Sequence, residues 1–100
     1  MSQKSTQAST NKYYIYIIEH PKFKGWIKLG RTVNLKSRLD GYQTGCPFRE
    51  YKMVYNKYIP NSILVTTIEN YFKLNIHNNG FEWFECTVEN AISIIERMVL

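Results

Sequence analysis

Tyr13-Tyr14-Ile15-Tyr16-Ile17-Ile18-Glu19, followed across His20 to Gly25 by Trp26-Ile27-Lys28-Leu29-Gly30, is the stretch that decides the fold. The first segment is β-branched and aromatic, with helix formers nearly absent, and reads as a strand. Pro21 and Gly25 turn the chain. WIKLG reads as a second short strand, so the two segments form a hairpin. Tyr14 and Tyr16 share one face of the first strand, opposite Tyr13, Ile15 and Ile17.

Downstream, Asn34 is placed to cap a helix from Leu35 to about Gln43, with Leu35, Leu39 and Tyr42 at helical spacing. Gly45 and Pro47 end it. Glu50 to Tyr58 alternates polar and apolar residues and reads as a third strand, broken by Pro60. Asn61 or Ser62 caps the longest helix, Ile63 to about Ile76, with an expected buried stripe of Leu64, Ile68, Tyr71, Phe72 and Ile76. Asn78-Asn79-Gly80 is a turn, and Glu82 to Cys86 a short strand. Thr87 caps a last helix striped by Val88, Ala91, Ile92, Ile95 and Val99. The expected class is α+β: a small, mostly antiparallel three-stranded sheet flanked by helices, in the order β-β-α-β-α-β-α with the last strand short. Residues 1–12 read as a disordered polar tail and 13–100 as one domain.

Nothing in the polar N-terminus resembles a signal peptide, and no apolar run approaches a membrane span, so an intracellular protein with no membrane partner is expected. Cys46 and Cys86 have neither CxxC spacing nor a His beside them in sequence, which argues for free thiols and against zinc. His20 and His77 read as surface residues. From Lys22 to Lys52, eight basic residues stand against Asp40 and Glu50; from Met53 onward, three stand against five acidic ones. A basic half joined to a mildly acidic half suggests a face aimed at a polyanion, although a merely solvated Lys-rich surface has the same composition.

Several residues stand where chemistry is possible. Arg38 lies at the margin of its helix's apolar stripe, where it can offer a planar fork to a phosphate or pack its stem on the core edge. Glu69 is bordered by Val65, Phe72 and Ile76, and burying a lone carboxylate costs several kcal/mol unless a cation compensates. A hard divalent ion fits, as does a salt bridge to Arg38 or Lys28. Lys28 and Arg31 bracket Gly30, which permits close approach by a ligand. A tyrosine phenol near several cations can have a lowered pKa and accept a proton.

In order along the chain, Tyr14-Ile15-Tyr16, Ile27-Lys28-Leu29-Gly30-Arg31-Thr32, Arg38-Leu39, Thr44-Gly45-Cys46-Pro47, Glu69 and Glu82-Trp83-Phe84 resemble the GIY-YIG nuclease superfamily. The likeness is closest to the phage and large-DNA-virus branch that has Lys-Ile-Gly in place of Tyr-Ile-Gly. The resemblance implies a magnesium- or manganese-dependent endonuclease. Tyr16 corresponds to the general base or water-orienting tyrosine, Lys28 to the group that helps depress the phenol pKa or polarises the water, and Arg38 to the arginine that stabilises the transition state. Tyr42 matches the residue one turn after that arginine, and Glu69 the metal-binding glutamate. Arg31, Lys36, Arg49 and Tyr14 are then the expected nucleic-acid contacts. Tyr14 replaces the first motif's glycine, and Lys73 stands where the branch often has His.

Three functions are compatible with these residues. The first is a metal-dependent endonuclease acting on nucleic acid, DNA in the first instance, with a partner protein or module for targeting. The second is a nucleic-acid-binding module that has lost cleavage. The third is a protein-interaction domain, which the charge asymmetry favours least.

Overall fold

A computed structural model describes residues 12–100; of the expected tail, residues 1–11 lie outside the described residues. The elements are β1 (Tyr13–Glu19), β2 (Trp26–Thr32), α1 (Leu35–Thr44), β3 (Lys52–Ile59), α2 (Ser62–Asn75), β4 (Trp83–Glu85) and α3 (Val88–Val99). The expected order holds. The sheet, however, has four strands rather than three, all antiparallel, in the order β3-β1-β2-β4. The fourth is gained because Trp26, Ile27 and Lys28 pair with Glu85, Phe84 and Trp83.

The hairpin closes through a turn in which the His20 carbonyl accepts the Phe23 N–H and the Phe23 carbonyl accepts the Trp26 N–H. Gly25, at φ +84°, supplies the left-handed residue that this turn requires. Register then fixes the chemistry of both faces. Tyr14 faces Thr32, Tyr16 faces Gly30 and Ile18 faces Lys28, so even-numbered residues of β1 and β2 share one face and odd-numbered ones the other.

The odd face carries the core. Ile15, Ile17, Ile27, Leu29 and Phe84 are buried against Val65, Ile68 and Phe72 of α2 and Ala91 and Ile95 of α3. Each large apolar side chain so buried contributes about 1.5–3 kcal/mol. Asn61 caps α2 by accepting from the Ile63 and Leu64 N–H groups, and Thr87 caps α3 by accepting from Asn90. One expectation for α2 fails: Tyr71 is 40% exposed, while Val65 is fully buried. The stripe centres on Val65, Ile68 and Phe72, which leaves Tyr71 on its flank, edge-on to Phe72.

The even face is covered by α1, whose N-cap Asn34 accepts from Ser37 N–H and which buries none of its residues. Leu35, Leu39 and Tyr42 are only partly covered. Among the described residues no helix is long and apolar enough to cross a membrane.

Candidate nucleic-acid interface and active site

Tyr16 sits at the centre of the even face, 1% exposed, and its ring lies across Gly30. A Cβ at Gly30 would fall 2.6 Å from Tyr16 Cζ and closer still to the hydroxyl. Gly30 is therefore required by the protein's own tyrosine, rather than by the approach of a ligand as its basic neighbours suggest. The Tyr16 and Tyr42 hydroxyls are 3.0 Å apart, with the rings edge to face.

Burial pushes the Tyr16 phenol well above its ordinary pKa, and the Tyr42 hydroxyl adds to the rise. Arg38 pulls the other way without prevailing, and Glu82 opposes it. The expectation of a phenol lowered by nearby cations is thus overturned: loss of water outweighs the cationic neighbour.

Lys28 is held on the same face by a carboxylate. Its Nζ lies 2.7 Å from Glu82 Oε1, with the lysine side chain 12% exposed. The ammonium also lies over the rings of Tyr42 and Trp83, at 5.4 and 5.8 Å from their centroids. Its charge is directed at Glu82, a carboxylate that the sequence marks only as part of the Glu82-Trp83-Phe84 motif and not as a partner of Lys28. Glu82 reaches Lys28 because the segment before β4 runs beside β2, where the Leu29 N–H donates to the Glu82 carbonyl.

Arg38 is exposed and sits one turn before Tyr42. With Thr32, Asn34, Ser37, Gly41 and Tyr42 it lines a cleft of about 480 Å³. Among the described residues no carboxylate lies within ion-pair distance of it. An arginine so placed is available to an incoming phosphate.

Glu69 projects from α2 on the odd side, and its ion-pair partner is neither Arg38 nor Lys28. Arg31, an odd-numbered residue, approaches it instead, with Nε 3.5 Å from Oε1. Arg31 also stacks over Tyr13 at 5.2 Å. Burial raises the Glu69 pKa, while Arg31 and then Lys73 lower it and Glu82 raises it further. A half-buried carboxylate destabilised by desolvation and by a second carboxylate is relieved by a cation. Glu69 is therefore the carboxylate that could serve as a ligand to a hard divalent ion, in competition with Arg31.

The structure thus gathers Tyr16, Tyr42, Lys28 and Arg38 on one face and sets Glu69 with Arg31 on the other side of β2. Glu82 acts electrostatically on both Tyr16 and Glu69. Tyr14 shares the face of Tyr16 and stacks on Tyr58 at 5.6 Å. Lys36 is exposed and paired with Asp40. Arg49 lies in the loop after α1, outside the Arg38 cleft, with a left-handed φ of 52°.

His20 corrects another expectation. It is 7% exposed, not a surface residue, and its Nε2 lies 3.8 Å from Cys46 Sγ and 3.7 Å from Glu50 Oε1. Cys46 therefore does have a histidine beside it, across 26 residues of sequence. His77 is exposed, as expected, and stacks against Trp26. His20, Cys46 and Glu50 lie close enough to share a metal ion. Yet His20 Nδ1 accepts the Lys22 N–H, which puts the neutral ring's proton on Nε2. That nitrogen then points a proton, rather than a lone pair, at Cys46 and Glu50, and the trio serves to clamp the hairpin turn to the Cys46–Glu50 loop.

No curated protein and no solved structure matches the chain. The family model of the T5orf172 domain matches residues 13–99, nearly all of the described fold, and is consistent with a nuclease-like or DNA-binding module. The chain belongs to the T5orf172 domain family.

Proposed function

We propose that this domain is a divalent-metal-dependent endonuclease that hydrolyses nucleic acid phosphodiester bonds, DNA in the first instance. The reading rests on one arrangement: the paired Tyr16 and Tyr42 hydroxyls beside Arg38, with the half-buried Glu69 carboxylate across β2. On this reading the chain is akin to the GIY-YIG branch with lysine in the second motif, Lys28-Leu29-Gly30 standing for Tyr-Ile-Gly.

Tyr16, held protonated by burial, orients the attacking water through its hydroxyl, and Tyr42 fixes that hydroxyl's direction. Arg38 offers its planar fork to the phosphate and stabilises the charge that grows on it as the bond to water forms. Lys28, drawn from Glu82 toward the same phosphate, adds a second positive charge. Glu69 would hold magnesium or manganese, which supplies neutralisation of the scissile phosphate or the leaving oxygen. Tyr14, Arg31, Lys36 and Arg49 are candidate contacts to the strand on either side. A domain this small has little surface for sequence readout, so targeting falls to a partner module.

A second reading is a binding module without cleavage; the pairing of Lys28 with Glu82 and of Arg31 with Glu69 favours it. Cleavage assays on duplex, single-stranded and branched substrates, with and without magnesium, separate the two. Wild type should cut only with metal, and Glu69→Ala should bind but not cut. If both proteins leave every substrate equally intact while still binding, the binding-module reading replaces the enzyme.

A further inference from the structure

The hairpin turn and β4 enclose a feature that the catalytic reading leaves unused. Phe23, Trp26 and Trp83 line a shallow pocket of about 450 Å³, together with Lys22, Lys24 and Asn79. The chain has only two tryptophans, and both are there. Phe23 is 45% exposed and stands edge to face with Trp83 at 5.4 Å. Phe23 also packs on the His20 ring at 5.0 Å, but the turn's backbone is held to the sheet independently of it. That hold is the bond from the Cys86 N–H to the Gly25 carbonyl, with the two bonds inside the turn.

The pocket neighbours the candidate active site through Lys28. Trp26 and Lys28 follow each other on the even face of β2, the same face as Tyr16. The Lys28 ammonium lies 5.8 Å from the Trp83 centroid and 5.4 Å from that of Tyr42, so a single lysine separates the aromatic pocket from the tyrosine pair. Lys22 and Lys24 give the rim the charge that a phosphodiester chain requires. Asn79 Oδ1 is engaged by the Phe81 and Trp83 N–H groups, which leaves its Nδ2 as the donor for a planar ligand's edge. Flat aromatic walls, a cationic rim and a volume within the ordinary range for small-ligand sites suit a nucleobase.

We propose that this pocket receives one unpaired nucleobase of the strand whose phosphate lies at Lys28 and Arg38, making the domain selective for single-stranded or locally opened nucleic acid. A base within a duplex is stacked on both sides and cannot enter. The proposal rests on the nucleic-acid reading of the neighbouring site and adds a substrate preference to it.

The two tryptophans provide the readout. The full chain, in chelator to prevent cleavage, is titrated with a single-stranded oligothymidylate and with an abasic oligomer of equal phosphate count. The base-bearing strand should quench tryptophan fluorescence and bind about tenfold more tightly, the effect of stacking worth about 1.4 kcal/mol. Phe23→Ala should bring its affinity down to that of the abasic strand. Equal affinity for both strands without quenching would overturn the base pocket and leave phosphate binding standing. No binding of either strand would overturn both.

Discussion

The two faces of the β1–β2 hairpin are built from alternate residues of the same strands, yet they are different materials. The odd face is dry: isoleucine, leucine and phenylalanine meet α2 and α3 with no exposed surface. The even face carries tyrosine, lysine and glycine, and α1 rests on it without burying a residue of its own. The difference teaches that the apolar core and the tyrosine–lysine cluster are separated here by the parity of the residue number, with the Arg31–Glu69 pair at the margin of the odd face. Arg31 meets Glu69, and Lys28 does not, because of that parity.

The sharpest way to break the comparison is to substitute one residue on each side. Phe72→Ala on the dry side should cost about 3–5 kcal/mol of unfolding free energy in urea titrations. Arg38→Ala on the wet side should move stability by less than about 0.5 kcal/mol. Comparable losses at both would mean that α1 is as much a part of the core as α2.

Gly30→Ala tests the close contact between Gly30 and the Tyr16 ring on the even face. The new methyl collides with the Tyr16 ring, and the expected cost is about 1–3 kcal/mol. In a double-mutant cycle with Tyr16→Ala, most of that cost should disappear. Additive losses would show that the strand, not the tyrosine, demands glycine.

Glu69 sharpens the contrast through pH. Its pKa is raised in the folded protein, so the protonated form is the one folding favours. Its contribution is most favourable below the ordinary carboxylate range and is lost as pH rises through the folded-state pKa. Glu69→Gln should therefore raise the melting temperature at pH 7, and the gain should shrink toward pH 4. A gain that does not change with pH would remove desolvation as its cause. A modest stabilising effect belongs to Gly41, in the middle of α1 with open space where a Cβ would stand. Gly41→Ala should stabilise by about 0.5–1 kcal/mol in the same urea titrations.

Much of this was legible in the sequence because it is local. The hairpin, the three helices and the caps at Asn34, Asn61 and Thr87 follow from residues within a turn or two of each other. The pairing of β4 with β2 was not, since three residues near the end of the domain carry no mark of the strand they join. The same holds for side-chain partners. That Glu82 takes Lys28, that Arg31 takes Glu69 and that His20 is enclosed by Cys46 and Glu50 are consequences of register and loop path. Composition favoured a lowered tyrosine pKa because it counts cations; burial, which reverses the sign, depends on how closely Tyr42 and Gly30 enclose the ring.

The strand order has a last consequence, for how the protein behaves when crowded. A sheet ordered β3-β1-β2-β4 has two borders, and each is a possible template for a foreign strand. At one border, β4 is three residues long, and its outward groups are already bonded to His77 and Asn79. At the other, β3 shifts register between its partners to Ile17 and Ile18 and carries Lys52 and Lys57. Neither border is long, flat and uncharged, so molecules gathered side by side along a polyanion find no continuous edge on which to add to one another's sheets and aggregate.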